Sequence, residues 1–123
     1  MKTVLVVDDS SFMRSRLKEI LIEMGNYLVI EAVNGKDGID LYKKHKPELV
    51  FLDINMPELS GRDALLQIIN HDPRAHVVMC STLGAEDIVA ECIEEGAVYY
   101  ILKPFVKDHV KKLIGDLEAT LNG

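Results

Sequence analysis

Several residue types are scarce in this chain of 123 residues, and each shortage argues against a class of protein. Tryptophan is absent, and the only cysteines are Cys80 and Cys92. These two lie in different predicted elements and form no CxxC pattern, which argues against a zinc knuckle or a thioredoxin-like pair. We therefore expect reduced thiols and a cytoplasmic protein.

Long apolar runs and excess positive charge are also missing. The N-terminus reaches Asp8 after only four consecutive apolar residues, which is too short for a signal-peptide core. No later run approaches the roughly 20 apolar residues of a membrane span, so no membrane insertion is expected. The 14 Lys and Arg stand against 20 Asp and Glu, for a formal net charge of -6. Direct nucleic-acid binding, which clustered Lys and Arg drive, is therefore not expected.

Five short apolar runs, rich in Val, Ile and Leu, recur along the chain. They are mostly continuous rather than alternating, which is typical of strands buried on both faces of a parallel sheet. Segments with helical spacing separate them, so the sequence predicts an α/β fold with a doubly wound parallel sheet. The length favours one domain over residues 1–123. The five runs are Val4–Val7, Leu28–Ile30, Leu49–Leu52, Val77–Met79 and Tyr99–Leu102.

Five helices are predicted between and after these runs. Ser10 or Ser11 can cap the first helix, and Gly25 can end it. The fourth helix is expected over about residues 85–95, and the fifth follows Pro104. In the fifth helix, the residues expected to face the core are Val106, Val110, Leu113, Ile114, Leu117 and Leu121.

Acidic side chains stand where two of the apolar runs stop. Asp8 and Asp9 follow the first run, and Asp53 follows the third. Doubly wound sheets bind ligands beyond the carboxyl ends of their strands, where these three carboxylates would converge if the two strands are neighbours. Clustered carboxylates repel one another and favour a hard cation, and a site with few protein ligands suits Mg²⁺.

Two further strand ends add different chemistry. The fourth run is followed by Ser81 and Thr82, which carry hydroxyl groups, and the fifth is followed by the cation Lys103. A metal, a hydroxyl and an ammonium around Asp53 complement a phosphoryl group, because the cations neutralise its charge and the hydroxyl donates to an oxygen.

Four motifs carry a family resemblance: VLVVDDSSFMR, LVFLDINMPELSG, VVMCST and ILKPF. In order and spacing they resemble those of bacterial response-regulator receiver domains, and most closely those of the single-domain chemotaxis members. The resemblance implies a flavodoxin-like (βα)5 fold with a five-stranded sheet in the order 2-1-3-4-5. It also implies one receiver domain without an output domain, and a phosphoacceptor protein that catalyses only its own phosphorylation and dephosphorylation.

The resemblance assigns roles around the phosphoryl group. Asp53 is expected to become a 4-aspartylphosphate, taking the group from a histidine kinase's phosphohistidine or from acetyl phosphate. Lys103 pairs with the group and Ser81 hydrogen-bonds it, while Ser81 and the aromatic Tyr100 act as the switch. Family members commonly carry a small residue where this chain has Thr82, so this side chain is expected to restrict access to the site.

The resemblance also implies a Mg²⁺ cofactor and its ligands. Asp9 and Asp53 are expected to bind the ion directly, with the backbone carbonyl of Asn55, while Asp8 holds metal-bound water. Gly61 is expected to shape the loop after Asp53 through a backbone conformation that other residues resist. The bond before the proline that follows Lys103 is expected to be cis, as in the family.

The expected partners are a histidine kinase, an output protein such as the flagellar motor switch, and a phosphatase. The fourth helix, fifth strand and fifth helix would form the output surface of a monomer. The fourth helix is acidic, which would suit a basic partner surface. Its acids are Glu86, Asp87, Glu91, Glu94 and Glu95.

Other functions stay open at this point. The chain could be a phosphorelay or sporulation-type receiver, or a receiver fragment of a DNA-binding regulator. A Mg²⁺-dependent phosphatase with an Asp nucleophile is disfavoured, because its second Asp is replaced by Asn55. A nucleotide or flavin binder is disfavoured because the turn after the first strand, DDSSFM, lacks glycine.

Overall fold

Strands and helices alternate along the chain in a computed structural model that describes residues 1–122. This part of the chain contains five strands and five helices, as predicted. In chain order they are β1 (Lys2–Val7), α1 (Ser11–Met24), β2 (Tyr27–Ala32), α2 (Gly35–His45), β3 (Leu49–Asp53), α3 (Gly61–His71), β4 (Val77–Ser81), α4 (Glu86–Glu94), β5 (Tyr99–Leu102) and α5 (Lys107–Asn122).

All strand pairs are parallel, and the sheet order is β2-β1-β3-β4-β5. This confirms the predicted flavodoxin-like order. The register places Val7 of β1 opposite both Ala32 of β2 and Leu52 of β3. The residues that follow these positions, Asp8 and Asp53, therefore emerge side by side at one edge of the sheet.

Burial differs between the central strands and the edges of the sheet. All residues of β3 and β4 are buried, as the continuous apolar runs predict. The same expectation is wrong for β2 and β5, where Leu28 is 53% and Leu102 is 40% exposed. Because β2 and β5 are the outer strands, neighbouring elements cover them less completely.

Helices cover both faces of the sheet and make two cores. Side chains of α1 and α5 pack with one set of strand residues, which includes Phe51, and side chains of α2, α3 and α4 pack with the other, which includes Leu52. Both of these side chains are fully buried, and burial of a large apolar side chain contributes about 1.5–3 kcal/mol. The two cores thus pack against both faces of β3 and fix the position of this strand immediately before Asp53.

The helix ends agree with the sequence at several positions. The Ser10 hydroxyl accepts a hydrogen bond from the Met13 amide at 3.3 Å, and Gly25 ends α1 with a φ of 79°. The prediction for Val106 is wrong: this side chain is 44% exposed, because α5 begins only at Lys107 and Val106 directly precedes it. The other apolar residues predicted for α5 join the core.

The two cysteines are free thiols, as predicted, and both are buried. Burial raises the pKa of both Cys80 and Cys92. Within residues 1–122, no helix has the length and apolar character needed to cross a membrane.

Candidate functional site

Three carboxylates meet at the carboxyl edge of the sheet. Asp8 directly follows β1, and Asp53 is the last residue of β3. Asp8 is 2% and Asp53 is 4% exposed, whereas Asp9 is exposed. One oxygen from each of these three side chains lies within 4.8 Å of the other two. The predicted convergence of the three acids is therefore found in the structure.

Lys103 directly follows the outer strand β5 and forms ion pairs with two of these acids. Its backbone N–H donates to the Ser81 carbonyl at 2.7 Å, which continues the β4–β5 pairing, and the following peptide bond to Pro104 is cis, as predicted. The Lys103 Nζ lies 2.6 Å from Asp8 Oδ2 and 3.0 Å from Asp53 Oδ1. Its side chain is only 11% exposed, so the three groups form a nearly buried ion triad.

The electrostatics of this triad leave negative charge in excess. Burial and the neighbouring Asp8 charge raise the pKa of Asp53, although Lys103 and the Asn55 N–H oppose the shift. Burial lowers the pKa of Lys103, but its hydrogen bonds and ion pairs with the two acids outweigh burial and leave that pKa raised. With the nearby carboxylate of Asp9 included, three carboxylates and one ammonium sum formally to two negative charges. The donor set, carboxylate oxygen without nearby thiolate, therefore fits a hard divalent cation.

The loop after β3 turns back tightly against Asp53. The Gly61 N–H donates to the Ile54 carbonyl at 2.8 Å, and a Cβ at Gly61 would overlap the carbonyl oxygen of Asp53. The expectation for Gly61 is thus right about the residue but wrong about the cause, because its φ is not positive and close approach excludes a side chain. Asn55 is exposed at the rim, where its N–H donates to Asp53 Oδ1 at 3.4 Å.

A cavity of about 370 Å³ opens beside this acidic site, between α4 and β5. Ser81, which is 3% exposed, stands at the boundary between the acids and the cavity, and Thr82 is exposed beside it. Tyr100 also lines the cavity and is 47% exposed, with its ring stacked against Tyr99 at a centroid distance of 6.3 Å. The structure thus brings both predicted switch residues, Ser81 and Tyr100, to one cavity.

Residues 4–115 match the family model described as the response regulator receiver domain. The chain belongs to this family. It is 43% identical over 119 residues to the chemotaxis protein CheY of Bacillus subtilis, with 97% of each chain covered. It is 46% identical over 115 residues to protein CcdB of the same organism, which covers 93% of this chain and 95% of the relative.

The solved structures that resemble this receiver domain include a CheX–CheY–BeF3–Mg²⁺ complex from Borrelia burgdorferi. It aligns with a TM-score of 0.87 and 34% identity, over 94% of this chain and 89% of the other. Receiver domains are phosphoacceptor signalling modules of two-component systems that bind Mg²⁺ at an acidic pocket. The cluster of Asp8, Asp9 and Asp53 is an acidic pocket of this kind that could hold a metal.

Sequence reasoning missed one arginine that touches the acidic pocket of this receiver domain. Arg14, in the first turn of α1, donates from Nη1 to the Asp8 backbone carbonyl at 2.6 Å and from Nε to Glu31 at 3.2 Å. A cation near a helix N-terminus is electrostatically unfavourable, so a basic residue at this position could have signalled a special contact.

A second arginine modifies the expectation for the acidic face of α4. Arg62, on α3, lies 2.7 Å from Glu95 and 3.6 Å from Glu91. Two of the five acids are therefore paired with α3 rather than available to a partner. The three that remain are Glu86, Asp87 and Glu94.

Proposed function

We propose that this receiver domain, over residues 1–123, is a two-component response regulator that accepts a phosphoryl group on Asp53. The observation that carries the proposal is the environment of this carboxylate, which is 4% exposed at the end of the central strand and 3.0 Å from Lys103. A carboxylate that only solvates a loop would be exposed, whereas this one is buried between a cation and two further acids. It is held ready for a reaction in which charge develops.

The transfer would proceed from the phosphohistidine of a histidine kinase or from a small acyl phosphate. Among the described residues, the contacts of the Asp53 carboxylate fall on Oδ1, which accepts from Lys103 and Asn55. We therefore assign the attack to Oδ2. The bond from Oδ2 to phosphorus forms as the bond from phosphorus to the donor nitrogen or oxygen breaks, and the electron pair of that bond leaves with the donor.

Mg²⁺ would be held directly by Asp9, Asp53 and the Asn55 backbone carbonyl, with Asp8 reaching it through water. When bound, the ion would supply positive charge that neutralises the transferred group. The chain's own residues supply the rest: Lys103 pairs with a phosphoryl oxygen, and the Ser81 hydroxyl donates to another.

The signal would leave through the α4–β5–α5 surface. Phosphorylation adds about 1.5 to 2 negative charges, which attract the Ser81 hydroxyl toward the site. The cavity beside Ser81 gives Tyr100 a place to move inward. Thr82 stands exposed next to this path, where it would restrict access of water or a phosphatase.

The partners we propose are a histidine kinase, an output protein and a phosphatase, with the domain itself a cytoplasmic monomer. The likeness to CheY supports chemotaxis and the flagellar motor switch as the output. We expect no direct nucleic-acid contact and no activity beyond the domain's own phosphorylation and dephosphorylation.

Intact-mass measurement after incubation with acetyl phosphate tests the proposal. The wild-type protein should gain the mass of one phosphoryl group in Mg²⁺ and lose this gain in EDTA. Asp53→Asn should gain nothing in either condition. Asp63→Asn is the matched control, because it makes the same change at an exposed position on α3 and should be phosphorylated like the wild type. A wild-type protein that stays unmodified, or an Asp53→Asn protein that is modified equally, would refute the assignment.

A further inference from the structure

The backbone carbonyl of Asp8 lies just beyond the paired part of β1. The parallel ladder between β1 and β2 ends at Val7 and Ala32, after which the Asp8 N–H still donates to the Ala32 carbonyl at 3.1 Å. The Asp8 carbonyl instead accepts from Arg14 Nη1 at 2.6 Å. A side chain thus continues, on the acceptor side, the hydrogen bonding that the strand no longer provides.

The guanidinium of Arg14 is itself held in place. Its side chain is only 13% exposed, and its Nε donates to Glu31 Oε1 on β2 at 3.2 Å. Lys18, one turn further along α1, contacts the other oxygen of Glu31 at 3.4 Å. The planar fork of arginine can serve a carboxylate and a carbonyl at once, which the single ammonium of lysine cannot do with the same geometry.

These contacts fix every polar group of Asp8. The carboxylate accepts from the Ser10 N–H at 2.9 Å through Oδ1 and from Lys103 through Oδ2, while the backbone N–H and carbonyl are held as described above. The carbonyl fixed by Arg14 belongs to the peptide that leads directly into Asp9. Its orientation therefore sets where the exposed Asp9 carboxylate stands relative to Asp8 and Asp53.

We propose that Arg14 is a positioning residue for the acidic pocket: through the Asp8 carbonyl it orients the Asp8–Asp9 peptide and so prepares the carboxylates to bind Mg²⁺. This inference rests on the metal role in the proposed function. It adds a residue that touches neither metal nor phosphoryl group, with Glu31 as the group that orients it. Residues that orient the ligands of a metal typically change its affinity 10- to 100-fold when they are replaced.

If Arg14 had a purely structural role, its loss would loosen the packing of α1 against the sheet. The helix that carries it is anchored by Leu17, Ile20 and Leu21, all at most 1% exposed, independently of the arginine. Loss of the guanidinium should therefore leave α1 docked and the sheet intact. Its main consequence should fall on the peptide between Asp8 and Asp9.

The test is a Mg²⁺ titration of the unphosphorylated full chain, followed by the amide and carbonyl NMR signals of Asp8, Asp9 and Asn55. Arg14→Gln should bind Mg²⁺ about 10- to 100-fold more weakly than the wild type. The metal-free spectrum should show the Asp8 carbonyl signal displaced, with the signals of β4 unchanged. Arg14→Lys, which keeps the charge but lacks the fork, should also bind at least several-fold more weakly.

Lys18→Gln is the matched control, since it removes the other cation on Glu31 without touching the Asp8 carbonyl. It should bind Mg²⁺ within about twofold of the wild type. If Arg14→Gln does not fold, Glu31→Gln replaces it, because loss of the carboxylate frees the guanidinium, and it should weaken binding several-fold.

The outcomes separate this inference from the function on which it rests. A wild-type chain whose signals do not respond to Mg²⁺ would overturn the proposed metal role itself. A wild type that binds, together with a folded Arg14→Gln of equal affinity, would overturn only the positioning role. Equal weakening by Lys18→Gln would also overturn it, because charge around Glu31, rather than the contact to Asp8, would then be the cause.

Discussion

The two regions on either side of Ser81 are built in opposite ways. On the side of β1 and β3, charged groups are nearly buried and held at short distances, as in the pair of Lys103 Nζ and Asp8 Oδ2 at 2.6 Å. On the side of α4 and β5, a cavity of about 370 Å³ is lined mainly by apolar side chains, and Tyr100 is 47% exposed. The first region thus holds its charged side chains in fixed ion pairs, and the second leaves room for a side chain to move.

This difference matches the demands of the two tasks that we propose for the regions. Stabilising developing charge requires groups that are already in place, because reorganising them would raise the barrier. Passing a signal requires an element with two arrangements of similar free energy, which empty space beside a tyrosine allows. Ser81 is 3% exposed and borders both regions. A movement of its hydroxyl toward the acidic pocket would therefore change the space in the cavity.

The largest expected effect comes from removing the cation of the acidic pocket. Lys103→Met should lower the free energy of unfolding by about 3 kcal/mol at neutral pH without metal, because it leaves two nearly buried carboxylates unpaired. Urea unfolding measures this change. Added Mg²⁺ should restore part of the loss, since it supplies a different cation to the same carboxylates.

The control for this substitution lies on α5. Lys112 lies 3.3 Å from Asp116, but its side chain is 76% exposed, so Lys112→Met should change the free energy of unfolding by less than about 0.5 kcal/mol. Equal changes in the free energy of unfolding would show that the nearly buried ion pairs of Lys103 contribute no more than an exposed pair. The contrast between the two regions would then fail.

Much of the acidic pocket was predictable from the sequence for a simple geometric reason. The carboxyl ends of parallel strands share one edge, so residues that directly follow apolar runs, such as Asp8, Asp53 and Lys103, emerge at that edge. The prediction needed only the strand ends and the neighbouring positions of β1 and β3. It did not depend on the packing of any particular side chain.

What escaped prediction depends on packing between distant segments. The contact of Arg14 with Glu31 joins residues that are 17 positions apart and follows from how α1 crosses β2. Exposure of Leu28 depends on β2 being an edge strand, which an apolar run alone does not reveal. Val106 follows the helical spacing of α5 in the sequence but directly precedes the helix, which begins at Lys107.

A smaller effect should reveal the cost of the charge at Asp53. Burial and the charge of Asp8 raise the pKa of this carboxyl despite Lys103, so the folded state binds its proton more tightly than the unfolded state. The ionised form therefore lowers stability above the folded-state pKa. Asp53→Asn should raise the free energy of unfolding at pH 7 in EDTA, on the order of 1 kcal/mol, the usual scale of a single substitution.

The pH dependence gives this prediction its sign. As the pH falls through the folded-state pKa toward the ordinary carboxyl value, Asp53 becomes protonated and the advantage of Asp53→Asn should shrink toward zero. Urea unfolding at a series of pH values measures the difference between the two proteins. An Asp53→Asn protein that is instead less stable than the wild type at pH 7 would mean that Lys103 stabilises the Asp53 charge more than burial and Asp8 oppose it.

The smallest effect on stability is expected on the other side of Ser81. Tyr100→Ala removes a half-exposed ring from an edge strand and should change the free energy of unfolding by less than about 1 kcal/mol. Phosphorylation of Asp53 by acetyl phosphate should proceed within about twofold of the wild-type rate, because Tyr100 takes no part in the hydrogen bonds and ion pairs of Asp8, Asp53 and Lys103. The NMR shifts that phosphorylation produces along α4 should nevertheless be lost, while Tyr99→Ala, its stacked neighbour, should keep them. If Tyr100→Ala slowed phosphorylation as strongly as a change at Lys103, chemistry and signal output would share one set of residues, and the division at Ser81 would be wrong.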